Sequence, residues 1–191
     1  RYLRTLASFG FVDRRGGGYG LGPRLTIGRG AVVTSEELIR VADPVLHMLV
    51  EETGETAVIM RRIGSAAVCL HQVQSRHPLR VALEPGGSLP LHAGALSKVL
   101  LAYAPAEILD EVLAQGLQPL TAATPDERQL RADLEAILAT GLARSEGEAI
   151  SGSVSIAVPI LRSDGILAAL GVVAPYGRAS LAWRTRVAHL L

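Results

Sequence analysis

The spacing of apolar residues changes several times along this chain, and each change marks an element. Leu38, Val41, Val45, Leu46, Leu49 and Val50 recur at the intervals of a helix face, opened by Thr34 and Glu37 at capping-box spacing and closed at Gly54. Pro44 interrupts that face, and because proline lacks an amide and crowds the preceding turn, a kink or restart is expected there with Asp43 as cap. Residues 56–63 and 66–74 read as two strands about Gly64 and Ser65. A third strand is expected over 79–83, stopped by Pro85, Gly86 and Gly87.

Helical spacing returns over 93–103 and 106–114, and a capped start at Thr124, Pro125 and Glu127 opens a helix that ends at Gly141. Residues 154–161 and 166–174 flank Ser163, Asp164 and Gly165 as a second hairpin, with a closing helix from about Ser180. Near the start, residues 1–6 have the spacing of a helix ending before Gly10. Phe11 and Val12 with Tyr19 and Leu21 then form a small hairpin about a turn of charge and glycine. This order predicts an α+β fold, an antiparallel sheet with covering helices, rather than alternating βαβ units.

Composition narrows the class. The 191 residues are 49% hydrophobic, enough for one packed domain plus a fragment, and no apolar run approaches the ~18 residues of a membrane span. The start shows neither a secretory nor a transit pattern, and Cys69 is the one cysteine, so a soluble protein of the reducing cytoplasm is expected, without membrane contact. The overall charge of +1 is unevenly spread. Six arginines against Asp13 give the first thirty residues +5, leaving −4 for the remainder, which points to a polyanion contact at one end.

Catalytic and metal chemistry find little support. Cys69, His71 and His77 lack paired metal-ligand spacing, although strand alternation would put Cys69 and His71 on one face. Gly16, Gly17 and Gly18 lead into no lysine-serine pair and make a turn tip, not a phosphate loop. His92 stands at a helix start, where an imidazole commonly bonds to backbone; Glu146 with His92 is the sole acid-base pairing on offer. The expectation is no enzyme, no cofactor and no metal, with a plain interaction module as the competing class.

Four blocks together resemble the IclR (isocitrate lyase regulator) family of bacterial transcription factors. They are Tyr2 to Leu6 with Gly10 to Val12 and Tyr19 to Pro23; Pro44 to Leu46 with Glu52 to Glu55; Leu89 to Ala93 with Lys98 and Leu100 to Ala102; and Ala157 to Ile160 with Asp164 and Gly165. The resemblance implies a GAF-like sensor domain at 54–191, a linker and linker helix at 23–53, and at 1–22 the end of a winged helix-turn-helix whose earlier part is missing. It implies binding of a small effector, often an organic or aromatic acid, a double-stranded DNA operator as partner, and a homodimer or homotetramer. Arg1, Tyr2, Arg4, Arg14 and Arg15 become the DNA candidates, since guanidinium groups pair with phosphates.

The effector site implied by the family lies between the sheet and the helix that follows His92. Position by position it takes Leu79, Val81 and Leu89 before the helix, Ala95 and Leu96 in its first turn, Ser145, Ser153 and Ser155 around the late loop, and Gly171 and Val173 in the final strand. The amides near Ala93, Gly94 and Ala95 would suit a carboxylate, with Ser153 and Ser155 adding hydroxyl donors. Small polar residues over 143–153 suggest a lid.

Overall fold

The computed structural model describes Val12–Arg15, Gly18–Leu21 and residues 33–191. The chain divides into two compact units, residues 1–38 and 39–191. In the first, β1 (Val12–Arg15) and β2 (Gly18–Leu21) form the expected hairpin, with Val12 opposite Leu21 and Arg15 opposite Gly18. Arg14 and Arg15 belong to β1; the helix expected over 1–6 lies outside the described residues, as do Arg1, Tyr2 and Arg4.

The capping box forms as its spacing requires. The Glu37 amide donates to Thr34 Oγ1 at 3.1 Å and the Thr34 amide to Glu37 Oε2 at 3.0 Å, satisfying two donors at the start of helix α1 (Ser35–Thr53). The helix then runs unbroken through Pro44. Asp43 does not cap a restart: its carboxylate bonds His71 Nε2 at 2.7 Å, and His47 Nε2 lies 3.8 Å from it. Packing of Leu46 and Leu49, both fully buried, outweighs the one amide that proline removes.

Gly54, at φ +75°, turns the chain into β3 (Thr56–Ile63). The strands that follow are β4 (Ala66–Val73), β5 (Ser88–Pro90), β6 (Ala143–Glu146), β7 (Ser153–Arg162) and β8 (Gly165–Pro175). They form one antiparallel sheet in the order β5-β4-β3-β8-β7-β6. The strand expected over 79–83 is absent, and the outer edge of β4 is paired instead by residues 86–90, over residues 66–69. Cys69 exchanges backbone bonds with Gly86 and Gly87, and Leu89 stands opposite Ala67. Residues 79–83 run beside the sheet without a ladder, tied by the Leu83 amide to Gln72 Oε1 at 3.1 Å.

A register shift between Ile59 and Met60 overturns a second expectation. His71 stands opposite Ile59 and Cys69 opposite Met60, so Leu70 is an extra residue in β4. A bulge of one residue reverses the alternation beyond it. Cys69 therefore joins the core with Met60, while His71 meets Asp43 of α1.

Helices α2 (Ala95–Ala102), α3 (Ala106–Ala114) and α4 (Glu127–Thr140) supply the other half of that core. Val99, Leu100, Leu130 and Ile137 meet Val58, Met60, Ala157 and Ala169. Each large aliphatic side chain buried there contributes roughly 1.5–3 kcal/mol. Asp126, not Thr124, caps α4, accepting the Gln129 amide at 2.8 Å. The Thr124 hydroxyl instead holds the preceding loop, accepting the amides of Leu120 and Thr121. A 3-10 turn (Tyr176–Arg178) leads to the closing helix α5 (Leu181–Leu190), whose cap is Ser180.

Candidate functional site

Between the sheet and the start of α2 lies a cleft whose floor comes from alternate residues of three strands. Val58 and Met60 of β3, Val173 of β8 and Ser155 of β7 share the face that looks at α2, because side chains two apart on a strand point the same way. The first turn of α2 gives Ala95, Leu96 and Ser97, the unpaired segment before β5 gives Val81, Ala82 and Leu83, and the turn after β6 gives Ala149 and Ile150. Leu89, Gly94, Ser145 and Ser153 complete the lining.

The lining is aliphatic apart from hydroxyls, and no side chain in it carries a charge. Its cavity volume is about 40 Å³, above the ~10–15 Å³ that one water needs and well below the ~150 Å³ of a cavity that admits benzene. A ring-sized occupant therefore requires a wall to yield. Residues 79–83 are the weakest wall, lacking ladder bonds. The turn at 147–152 is better held: Gly147 O accepts from Thr121 Oγ1 at 2.7 Å and Glu148 O from Thr124 Oγ1 at 2.9 Å.

Of the ten effector positions implied by the family, the structure brings eight to the cleft and leaves two outside. Leu79 is 72% exposed, and its carbonyl accepts from Arg178 Nη2 at 2.8 Å. Gly171 shares the cleft face of the sheet, but a Cβ there would meet Ile156 O at 2.6 Å and the Ala157 Cβ at 2.9 Å. It is a site of close approach between strands rather than a cleft wall. The lid also shrinks, since β6 claims residues 143–146 as a paired edge strand.

The start of α2 differs from expectation in its hydrogen bonds. The Gly94 amide donates to Glu148 Oε2 at 3.0 Å, and the Ala95 amide to Ser155 Oγ at 3.2 Å. The other Glu148 oxygen accepts from Lys98 Nζ at 2.7 Å, and Lys98 also reaches Asp133 Oδ2 at 2.5 Å. The protein's own carboxylate therefore stands where an acidic ligand was expected. Ser153 Oγ donates to Ile150 O at 2.7 Å, bracing the turn. Ser97, 1% exposed, has a hydroxyl with no hydrogen-bond partner.

Sequence reasoning passed over Ser97, Val58, Met60, Leu83 and Ile150. Strand alternation from Thr56 onward carried the signal for Val58 and Met60. Ser97 adjoins Leu96 in the first helical turn, where side chains still face the sheet. Nothing local marked Leu83 or Ile150, which arrive through irregular segments.

A second cluster meets the same segment at Leu79. Arg178 clasps Glu55 through Nε to Oε1 at 2.5 Å and Nη2 to Oε2 at 2.9 Å, while also holding Leu79 O. Glu55 is 2% exposed and lies two residues beyond the end of α1. The paired carboxylate holds the Arg178 guanidinium above its ordinary pKa. Nearby, Trp183 Nε1 donates to Thr53 O at 3.1 Å and Arg186 Nη2 reaches Glu52 Oε2 at 2.5 Å. The segment lining the cleft and the end of α1 thus share one guanidinium.

The acid-base pair considered from the sequence is not assembled. His92 Nε2 meets Gln118 O at 2.9 Å, and Glu146 pairs with Arg184. Among the described residues no group of three His, Cys, Asp or Glu side chains is placed to hold a metal, and no helix is long and apolar enough to cross a membrane.

Comparison with known proteins gives consistent matches. The family described as bacterial transcriptional regulator IclR, C-terminal, matches residues 30–191. The probable transcriptional regulator SauR of Cupriavidus necator is 31% identical over 140 residues, covering 72% of this chain and 56% of SauR. A transcriptional regulator structure from Silicibacter sp. TM1040 superposes with a TM-score of 0.78 at 32% identity, over 98% of this chain and 76% of that one. An IclR homolog from Microbacterium hydrocarbonoxydans, solved with 4-hydroxybenzoate, gives a TM-score of 0.75 at 25% identity, covering 98% and 79%. The chain spans about half the length of the first curated relatives it matches.

Proposed function

The chain belongs to the IclR family of bacterial transcriptional regulators, and from that premise we propose that its cleft receives a small organic effector whose binding alters how an attached DNA-binding part engages an operator. The observation that carries this reading is the cleft itself. It is apolar, is walled in part by a segment without ladder bonds, and contains the Ser97 hydroxyl, which the protein leaves without a partner. Such a mixture holds an apolar body and orients one polar end.

In this reading residues 54–191 are a GAF-like sensor, 23–53 are linker and linker helix, and β1 with β2 is the wing of a winged helix-turn-helix. Arg14 and Arg15 then meet phosphates, with Arg1, Tyr2 and Arg4 alongside. Homodimers or homotetramers present paired units to paired half-sites.

A ligand shifts a conformational equilibrium only through its difference in affinity for the two states, so it must touch a part that moves. Residues 79–83 meet that requirement. An occupant that pushes Val81 and Leu83 outward draws on the Leu79 carbonyl, and through Arg178 on Glu55 at the foot of α1. Signal from the cleft then leaves along the linker helix.

The test is a thermal-shift screen of this chain with organic and aromatic acids and their neutral analogues. A ligand at a hundred times its Kd stabilises by about 2.7 kcal/mol, which for a domain of this size raises Tm by roughly 5–10 °C. Leu96→Trp, which fills the cleft, should abolish the shift. Absence of any shift across the screen, or its persistence in Leu96→Trp, removes the cleft as the effector site.

A further inference from the structure

We propose that this cleft selects an uncharged, hydrogen-bonding organic molecule over a carboxylate, with Ser97 recognising its polar group and Glu148 acting as a resident anion that turns acids away. The inference rests on the cleft being the effector site and adds the charge class of its occupant.

Three observations converge. The first is that the sixteen residues lining the cleft include no lysine, arginine or histidine, so an anion entering it meets no free positive side chain. The second is the state of the helix start. The dipole of α2 favours a negative charge only within its first turn, and that place is taken by Glu148, bonded to the Gly94 amide. Lys98, 1% exposed, cannot serve instead, since Asp133 and Glu148 both engage its ammonium and the trio carries a net charge of −1. A ligand carboxylate would be desolvated beside that excess negative charge, an arrangement that low-dielectric surroundings make unfavourable.

The third observation supplies the attraction. Ser97 lines the cleft, is 1% exposed, and its hydroxyl makes no hydrogen bond. A buried hydroxyl without a partner is an unmet cost of folding. A neutral amide, alcohol or carbonyl that gives or takes one hydrogen bond there relieves it without importing charge. Ser145 and Ser155 stand opposite one another on adjacent strands at the same cleft and extend the polar strip. Val58, Met60, Leu83 and Val173 hold the apolar remainder.

Benzamide and benzoate test this directly, having nearly the same shape and differing in charge; toluene serves as the apolar control. Titration calorimetry on the whole chain should give benzamide at least tenfold tighter binding than benzoate. Ser97→Ala should weaken benzamide about tenfold and leave toluene unchanged, and because it deletes an unpartnered hydroxyl it should fold as well as the parent. Glu148→Gln, with Asp133 still pairing Lys98, should narrow the gap between benzoate and benzamide about tenfold. Benzoate binding as tightly as benzamide, or benzamide indifferent to Ser97→Ala, overturns the selection while leaving the cleft as an effector site. Binding of none of the three at millimolar concentration removes both.

Discussion

The cleft and the Arg178 junction both touch residues 79–83, the cleft at 81–83 and the junction at Leu79, and they treat polar groups in opposite ways. At the junction every charge is matched: both Glu55 oxygens accept from Arg178, which also takes the Leu79 carbonyl. The side chains that line the cleft carry no charge, and the Ser97 hydroxyl is left without a partner. A satisfied buried pair holds two segments in one arrangement, whereas an unsatisfied neutral group raises the energy of the empty state and rewards an occupant. On the proposed reading, the contrast separates the part of the domain that fixes geometry from the part that responds to an effector.

The contrast can be broken most severely at its charged elements. Lys98→Met leaves the carboxylates of Asp133 and Glu148 facing each other with no cation between them. Stability should fall by about 3 kcal/mol or more, read from urea unfolding; a loss under 1 kcal/mol means the trio is solvated enough to dispense with its lysine. Arg178→Ala strands the Glu55 carboxylate, which is 3% exposed, although Arg178 itself is near one third exposed. The expected loss is about 2 kcal/mol. That variant should also uncouple the cleft from α1, so effector binding persists while operator release does not. Operator binding that still responds to effector in Arg178→Ala would rule out the guanidinium as the link.

Smaller effects sharpen the comparison. Replacing Thr121 with valine removes the hydroxyl that donates to Gly147 O and Glu148 O. It should cost about 1 kcal/mol and loosen the 147–152 turn, seen as faster amide exchange confined to that turn. The mildest probe is Cys69, whose thiol burial, aided by the nearby Glu84 charge, pushes its pKa from an ordinary 9.0 to about 11. The unfolded chain loses that proton first as pH rises. Stability attributable to Cys69 is therefore intact below about pH 9 and declines toward about pH 11. The difference in urea midpoint between the parent and Cys69→Ala should change in that window; a constant difference from pH 7 to 11 removes the effect.

Much of this was legible in the residues because local rules and tertiary packing agreed. The Thr34 and Glu37 box, the strands about Gly64, the hairpin about Gly165 and the start of the closing helix near Ser180 all appear where spacing put them. Eight of the ten positions that the family resemblance assigns to an effector line one cleft, since a strand register and a helix start are short-range features. The failures share a cause. Residues 79–83 have strand composition but join no ladder, Leu70 inserts a bulge that sequence cannot announce, and Pro44 is tolerated because α1 packs one face through Leu38 and Ala42 before it and Leu46 and Leu49 after it.

Spacing and composition alone determined an antiparallel α+β domain with a basic head, since hydrophobic periodicity and turn residues act over a few positions. Only the tertiary structure decided what the helix start at α2 holds. Glu148 lies fifty residues beyond Lys98 and fifty-four beyond Gly94. Which of several carboxylates reaches an amide at that distance depends on how β6, α4 and the turn after β6 close together. The Ser97 hydroxyl, buried in the same helix start, is left without a partner.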